Sequence, residues 1–252
     1  MTKTIPTWLL LCLASVSSTS AWANTPTTVT LPMQQVILQY NQPVRLDRVL
    51  LDAQQQANQT NHLNTYHEGY RLFSGAKADK AQELYAGVKA RLSALLNNDT
   101  YRVAAKQLLT QLSGYQYGYR EKLNLDVDAV RLKPEFNPLL PGQFQLELAQ
   151  RPNSIALFGL SEQQQMTFNA NFTVADYIAR SRSPHKKHHS DAWVISPEGE
   201  ITHVGYAYWN NAHTHLKPGS ALLVGFNASD QEMVQLEQDI ATLISMIEGS
   251  AL

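Results

Sequence analysis

The sequence has a single cysteine, Cys12, close to its N-terminus. The rest of the chain therefore forms no disulfide and offers no thiolate ligand or cysteine nucleophile. It also lacks an excess of charge, with 20 Lys and Arg against 21 Asp and Glu. A near-neutral chain gives no electrostatic reason to expect a nucleic acid partner. Hydrophobic cores alone must hold its fold together.

Long hydrophobic runs are absent beyond the N-terminus. There Lys3 precedes an apolar stretch from Trp8 to Val16, and Ala21-Trp22-Ala23 has the small-x-small pattern of a cleavage site. This stretch is too short to cross a bilayer. The sequence therefore predicts a signal peptide over residues 1–23, an exported mature protein beginning at Asn24, and no transmembrane segment.

The segment from Arg151 to Phe226 has the pattern of a small mixed sheet. Short apolar runs bounded by turn residues predict strands at 154–159, 192–195 and 221–226, with a hairpin partner over 200–208. Thr173 and Asp176 have the spacing of a capping box at the start of a short helix. Pro218-Gly219 predicts a type II turn before the last strand.

The first half combines strand and helix periodicities. They predict a hairpin over 27–39, a helix over 47–57, a polar loop over 58–75, a helix over 76–96 and a second helix from about 99 to Gly114. The last two helices form a helical hairpin, at about 76–113, inserted in a β-unit that resumes at about Tyr115 and runs to Ala149. Val103, Leu108, Leu109 and Leu112 are expected on the buried side of its second helix.

The C-terminal segment from Ser229 to Gly249 predicts an amphipathic helix. Ser229 and Glu232 have the spacing of a capping box. The predicted buried stripe consists of Met233, Leu236, Ile240, Leu243, Ile244 and Ile247, and the predicted solvated side carries Glu232, Glu237, Asp239 and Glu248. The stripe could pack within the chain or dock on a partner, and both arrangements stay open.

The segment Gly114–Arg120 is the candidate ligand site. Tyr115, Tyr117 and Tyr119 alternate, so an extended chain places them on one side and Arg120 on the other. Tyrosine rings suit stacking on sugars, and a guanidinium suits a carboxylate or phosphate. We expect a partly exposed Arg120 lining a cleft where the helical hairpin returns to the sheet. The alternative is that the tyrosines pack under the hairpin and Arg120 is solvated or ion-paired.

Other reactive side chains do not form a recognisable catalytic set. The histidines of His185–His189 are interleaved with Lys186 and Lys187, which would repel a cation. The acid pairs Asp126/Asp128 and Glu198/Glu200 are typical of exposed turns and strands rather than of a glycosidase, whose carboxyls lie across the sugar from each other. No G-x-S-x-G motif is present. We expect no metal, no cofactor and no catalytic residue.

Several of these motifs together resemble the GfcC-type capsule biosynthesis family, which is related to the soluble-ligand-binding β-grasp domains of polysaccharide export proteins. The resembling segments are a strand ending in Gly159, Thr173-Val-Ala-Asp-Tyr-Ile178, Val194-Ile-Ser-Pro-Glu-Gly-Glu200, and Pro218-Gly-Ser220 before a strand ending in Gly225-Phe226. The resemblance extends upstream through Val130-Arg131, Asn137-Pro138-Leu139, Gly142 and Gln150-Arg151-Pro152, and downstream to Trp209-Asn210. Gly118-Tyr119-Arg120 matches a Gly-x-Arg at the same junction in the family.

The resemblance implies an α+β fold with two β-grasp-like domains. These would cover residues 24–150, with the inserted helical hairpin, and 151–227, followed by a C-terminal amphipathic helix over 228–252. The implied function is that of a non-enzymatic periplasmic accessory factor in capsule or exopolysaccharide assembly or export. It would bind the polysaccharide or an outer-membrane polysaccharide export protein. The alternative is a periplasmic enzyme that modifies surface polysaccharide.

Overall fold

The computed structural model describes residues 25–59, 66–159, 165–181, 189–226 and 230–249. The predicted signal peptide lies outside them. Their strands are β1 (Thr27–Leu31), β2 (Val36–Tyr40), β3 (Val44–Arg45), β4 (Arg71–Ser74), β5 (Leu139–Leu140), β6 (Gly142–Glu147), β7 (Ser154–Phe158), β8 (Gln165–Thr167), β9 (Asp191–Ile195), β10 (Ile201–Gly205) and β11 (Ala221–Leu223). Their α-helices are α1 (Leu46–Gln59), α2 (Ala78–Ala94), α3 (Arg102–Leu112), α4 (Val127–Leu132), α5 (Val174–Arg180) and α6 (Gln231–Ser245). The mixture confirms the predicted α+β class.

The first sheet has the strand order β2-β1-β6-β4. β1 and β2 form the predicted hairpin, and β1 runs parallel to β6. One face of the sheet packs on α1, where Val29, Leu50 and Leu146 are fully buried in one core. Because side chains alternate along a strand, the other face of β4 and β6 carries Arg71 and Glu147.

Strand β4 corrects the predicted loop over 58–75. The four residues Arg71–Ser74 are all buried and pair antiparallel with β6. Only Leu72 and Phe73 of this strand are apolar, so the run is too short for its alternation to be recognised. Arg71, at the start of β4, lines the cavity described below.

The second sheet has the order β8-β7-β11-β9-β10, with β7 parallel to β11. The predicted type II turn precedes β11: Ser220 N donates to Lys217 O at 3.1 Å, and Gly219 has φ +83°. The predicted capping box is also present, because Thr173 and Asp176 each accept the other's backbone N–H at the start of α5. The predicted strands and turns of this half are confirmed, except that the last strand ends at Leu223 instead of Phe226, and β8 was not predicted.

Both faces of the second sheet are buried. Ile155 and Leu157 point into a core with α5. Ala156 and Phe158 point into a second core with α6 and the helical hairpin formed by α2 and α3. A strand that is covered on both faces needs apolar residues at consecutive positions, which explains the continuous apolar run of β7.

The helical hairpin packs on the second sheet and α6, although it is inserted in the first unit. Its buried side chains Val88, Leu92 and Leu108 share one core with the second sheet and α6. Gln111 Oε1 of α3 also accepts a hydrogen bond from Gly159 N at 2.9 Å. The hairpin therefore packs the first half of the chain against the second half.

The prediction that Val103 is buried is wrong, since its exposed fraction is 55%. The buried side of α3 passes through Ala105, Leu108 and Leu112. Val103 precedes Ala105 by two positions, about 200° around the helix, and therefore faces away from the core.

Helix α6 buries the predicted apolar stripe within the chain. Leu236, Ile240 and Ile244 belong to the core shared with the helical hairpin. Asp230 caps the helix by accepting a hydrogen bond from Met233 N at 3.0 Å, while the predicted capping residue Ser229 lies outside the described residues. Across the described ranges, no helix has the length and apolar character that a membrane span requires.

The prediction that Glu237 lies on the solvated side of α6 is wrong. Its exposed fraction is 5%, because its carboxylate reaches the end of the second sheet. Glu237 Oε2 accepts from Trp193 Nε1 at 3.0 Å, and Oε1 accepts from Phe226 N at 2.5 Å. Burial raises the pKa of this carboxyl above its usual range. A tertiary contact therefore overrides the helical periodicity at this position.

Candidate functional site

A cavity of about 500 Å³ lies where the ends of the two sheets meet. It is lined by Pro32, Met33, Tyr66, Gly69, Arg71, Arg120, Glu147, Ala149, Gln150, Arg151, Pro152, Asn153, Ile195, Ser196, Pro197, Gly219, Ala221 and Gly249. Both halves of the chain contribute to this wall, together with the segment 149–153 that connects them. The cavity exists only because the two units are held together.

Arg71 and Glu147 form a buried ion pair in the cavity wall. They stand directly opposite each other in the β4–β6 register, and Arg71 Nη2 lies 2.8 Å from Glu147 Oε2. Glu147 Oε1 also accepts hydrogen bonds from Gln145 Nε2 at 3.1 Å and from Gly249 N at 2.8 Å. Arg71 Nη1 donates to Ile247 O at 3.1 Å. The chain that follows α6 is thus tied to the polar face of the first sheet.

Arg120 links three parts of the molecule at the same wall. Its Nη2 donates to Pro197 O at 2.6 Å and to Tyr70 O at 3.3 Å, and its Nη1 donates to Ser245 O at 3.5 Å. A Cβ on Gly199 would lie 3.0 Å from the guanidinium carbon, so the β9–β10 turn presses directly on this group. Arg120 is therefore an internal anchor as well as part of the cavity.

The predicted partial exposure of Arg120 is wrong, because only 8% of the residue is exposed. The prediction rested on the position of Arg120 where the helical hairpin returns to the sheet, whereas the β9–β10 turn and the end of α6 cover it there. The predicted position in the wall of a cleft is correct. Arg120 thus faces the cavity interior rather than bulk water.

The cavity wall has more buried positive than negative charge. Among the lining residues, Arg71 and Arg120 face a single carboxylate, that of Glu147, while Glu248 and Glu198 act on them from outside the lining. Arg120 has no carboxylate within ion-pair distance among the described residues. Burial, and then the neighbouring Arg71, lower the pKa of Arg120 to about 10, so it stays charged at neutral pH. Arg71 Nε is buried and finds no hydrogen-bond acceptor within the described ranges. Because an uncompensated buried cation is costly, this wall favours an anionic group such as a carboxylate or phosphate.

The Gly118-Tyr119-Arg120 motif passes close to the chain that follows α6. Gly118 N donates to Met246 O at 3.0 Å, and a Cβ at this position would lie 2.1 Å from Glu248 Oε1. Ser74 N then donates to Tyr119 O at 2.9 Å. The motif therefore runs between β4 and the end of α6, and this close approach aims Arg120 at the cavity.

The three candidate tyrosines do not share a site with Arg120. Tyr117 is buried, donates its hydroxyl to Leu112 O at 2.6 Å and stacks on Tyr85 with 5.1 Å between ring centroids. Tyr115 packs against the same hydrophobic core, and Tyr119 does so beneath Lys77. None of the three lines the cavity, and Tyr115 and Tyr117 instead border a separate cleft of about 310 Å³. A role for these tyrosines in sugar binding stays a prediction.

The acid pairs of the sequence meet on the outside of the junction. Asp126, Glu198 and Glu200 border an open depression of about 420 Å³. Asp126 caps α4 by accepting from Asp128 N at 3.0 Å, and Lys217 forms an ion pair with Glu198. Asp126 is thus engaged in capping and Glu198 in surface ion pairing, as expected for turn residues. The histidines at 185–188 lie outside the described residues.

Sequence reasoning found Arg120 but missed Arg71 and Glu147. The register of β4 on β6 brings this pair together, and β4 itself was not recognised. One sequence signal could have indicated Glu147. The polar residues of β6 occupy alternate positions, Gln143, Gln145 and Glu147, which indicates that one face of this strand is polar while the other is buried. A charged residue at the buried end of such a strand requires a partner.

The molecule is thus a two-sheet α+β protein with an arginine-lined cavity at the junction of its sheets. Its sequence matches the family descriptions "Capsule biosynthesis GfcC, N-terminal" over residues 23–151 and "Capsule biosynthesis GfcC C-terminal" over residues 162–246. The chain belongs to the GfcC capsule biosynthesis family, which confirms the resemblance noted from its motifs.

A curated relative is the uncharacterized protein YjbG of Escherichia coli (strain K12). The two are 34% identical over 123 residues, which are 48% of this chain and 50% of the relative. The chain therefore spans about half the length of the relative in this alignment.

Proposed function

We propose that the protein is a non-enzymatic periplasmic accessory factor in the assembly or export of capsule or exopolysaccharide. The cavity would bind an acidic group carried by the polymer or by a partner in the export machinery, such as an outer-membrane export protein. The observation that carries the proposal is the buried excess of guanidinium over carboxylate in a member of a capsule biosynthesis family.

The dimensions of the cavity support ligand binding. A volume of about 500 Å³ lies within the range of about 300–1,000 Å³ that is typical of small-ligand sites. The guanidiniums of Arg71 and Arg120 are held by backbone carbonyls, so their orientation is fixed before a ligand arrives. A site that is already organised loses little conformational entropy on binding.

The composition of the wall supports binding rather than hydrolysis. Glu147 is the one carboxylate among the described lining residues, whereas most glycosidases need two across the scissile bond. Its oxygens already face Arg71, Gln145 Nε2 and Gly249 N. A carboxylate held in this way is a structural counter-charge and a poor general acid.

The arrangement of both sheets supports the proposal that each is a β-grasp unit. In each sheet a hairpin is followed by a helix, and the first hairpin strand pairs in parallel with the last strand of the unit. We assign the first unit to residues 24–150, with the helical hairpin as its insertion, the second to 151–227 and the C-terminal segment that contains α6 to 228–252. The soluble-ligand-binding β-grasp domains that the sequence resembles would share this arrangement of strands and helix.

The test is complementation of a gene deletion in the source bacterium, with surface polysaccharide as the readout. Two cavity variants are informative. Arg120→Lys keeps the charge but removes the bidentate fork, and Ala149→Phe fills the cavity and leaves both arginines in place. Arg131→Lys, on the exposed side of α4, and Ala149→Ser are the matched controls.

We expect both cavity variants to lower surface polysaccharide. The melting temperature should stay close to wild type in Ala149→Phe and should fall in Arg120→Lys, because a single ammonium group cannot replace all the carbonyl contacts of the guanidinium. The controls should complement fully. Full complementation by both cavity variants would disprove the role of the cavity. A deletion strain with unchanged surface polysaccharide would refute the proposed function as a whole.

A further inference from the structure

Two adjacent aromatic residues are displayed at the tip of a turn that follows β10. Asn210 N donates to Ala207 O at 3.0 Å and closes the turn, so that Tyr208 and Trp209 occupy its two central positions. Their exposed fractions are 100% and 78%. Neither ring makes an aromatic contact with another ring in the described part of the chain.

The turn is held rigidly without help from the two rings. Asn210 Oδ1 accepts from Ala207 N at 2.9 Å, and its Nδ2 donates to Ser190 O at 3.1 Å. Ala212 N donates to Gly205 O at 3.1 Å. A Cβ on Gly205 would lie 2.3 Å from Asn210 O, which shows how tightly this loop closes on the end of β10.

The residue types at the tip are therefore unexplained by the fold. Central turn positions favour proline, asparagine, aspartate and glycine, which adopt the required dihedral angles readily. Here two large aromatic rings expose apolar area to water, although small polar residues could form the same turn. Adjacent exposed aromatics on a fixed backbone are typical of a contact surface.

We propose that Tyr208 and Trp209 form a second binding site, separate from the cavity, that stacks on the sugar rings of a glycan chain. A pyranose has an apolar face of C–H groups rimmed by hydroxyls. It therefore fits an aromatic plane flanked by neutral hydrogen-bonding groups. Asn211, His213 and Thr214 supply such groups along the same loop.

The lack of charged residues in the loop favours a glycan over the other classes of ligand that bind exposed aromatic residues. The segment from Gly205 to Leu216 contains no Asp, Glu, Lys or Arg. Segments that bind anionic membranes contain basic residues beside their aromatic residues. Sites that stack on nucleic acid bases do so as well. A neutral polymer segment needs no such counter-charge.

The inference rests on the proposed function for the identity of the polymer, but the two can be tested separately. No residue of the segment 205–216 lines the cavity. Loss of one site should therefore leave the other intact. Simultaneous use of both sites would let the protein hold one chain at two points, which raises its effective affinity.

Fluorescence quenching by acrylamide provides a direct assay. Trp193 is 8% exposed, so the difference in quenching between wild type and Trp209→Phe reports Trp209. The probe is a size-fractionated oligosaccharide prepared from the surface polysaccharide of the source bacterium. Vesicles of phosphatidylglycerol and phosphatidylethanolamine form the comparison arm.

We expect the oligosaccharide to protect Trp209 from the quencher. Trp209→Ala should weaken its binding about tenfold, because a stacked ring contributes on the order of 1 kcal/mol beyond its buried area. Trp209→Phe, which keeps a stacking plane, should retain most of the affinity. Leu132→Ala removes an equally exposed apolar side chain, at 81%, and is the matched control with no expected effect.

The outcomes separate the inference from the proposed function. Binding that is lost in Ala149→Phe but unchanged in Trp209→Ala would overturn the second site and leave the cavity proposal standing. Binding that persists in Ala149→Phe and falls in Trp209→Ala would support the second site. Protection by vesicles rather than by the oligosaccharide, or no oligosaccharide binding at all, would overturn the inference.

Discussion

Glu237→Ala should destabilise the protein more than any other loss of an acid from α6. The wild-type carboxylate is buried between the helix and the second sheet and accepts hydrogen bonds from Trp193 Nε1 and Phe226 N. The contact is close, because a Cβ on Gly225 would lie 2.1 Å from the carboxyl carbon. Alanine at position 237 would leave both donors without their acceptor.

The expected loss follows from these two donors. A buried donor left unsatisfied costs about 1–3 kcal/mol, so two would cost about 2–6 kcal/mol. Removal of a carboxylate from a poorly solvated place offsets part of this loss. We therefore expect the free energy of unfolding to fall by about 3 kcal/mol, which lowers the melting temperature of a chain of this size by about 6–12 °C.

Urea unfolding at neutral pH, followed by circular dichroism, measures this change. The matched control is Glu232→Ala, which removes the same charge from an exposed position on the same helix and should cost under about 1 kcal/mol. If the two variants were equally stable, the two hydrogen bonds to Glu237 would contribute nothing and the reasoning would be refuted.

Three further predictions follow from the buried charges and the N-terminal sequence. The pKa of Glu237 is raised by burial, so the folded state holds more protons than the unfolded state above the ordinary carboxyl pKa. The contribution of Glu237 is complete below that value and shrinks as pH rises, so the stability loss in Glu237→Ala should be larger near about pH 4 than near about pH 7; a larger loss at the higher pH would contradict the sign. Arg120→Ala should cost about 2–3 kcal/mol in urea unfolding, since the carbonyls of Tyr70 and Pro197 lose a donor. Exposed Arg131→Ala should cost under about 1 kcal/mol, and equal costs would exclude an anchoring role for Arg120. Mass spectrometry of periplasmic protein should show Asn24 as the first residue, and an intact N-terminus would rule out the predicted cleavage.

Long periodic segments made most of the fold predictable. Burial on one or both faces gives an element a regular pattern of apolar residues in the sequence. This pattern is clear in the apolar runs of β7, β9 and β11 and in the apolar stripes of α2 and α6. Strand β4 has no such apolar pattern. Its polar residue Arg71 is buried by an ion pair rather than by apolar contacts, so composition alone indicates a loop.

The candidate site was predictable only where a local motif marks it. Arg120 ends the local motif Gly118-Tyr119-Arg120, which is visible in the sequence. Arg71 and Glu147 become neighbours through strand register, and Glu237 becomes buried against Trp193 of β9, 44 residues earlier in the chain. Pairings between distant segments carry no local periodicity, so sequence patterns do not reveal them.

The core shared by the helical hairpin and α6 has a consequence for biosynthesis. Leu92 and Leu108 of the hairpin are buried largely against elements that the ribosome makes much later, the last of them being Gln231–Ser245. Until that segment is made, the hairpin exposes an apolar surface that only a chaperone or another chain could cover. The first half of the protein should therefore stay a partly folded intermediate, and its folding would be completed by the final helix.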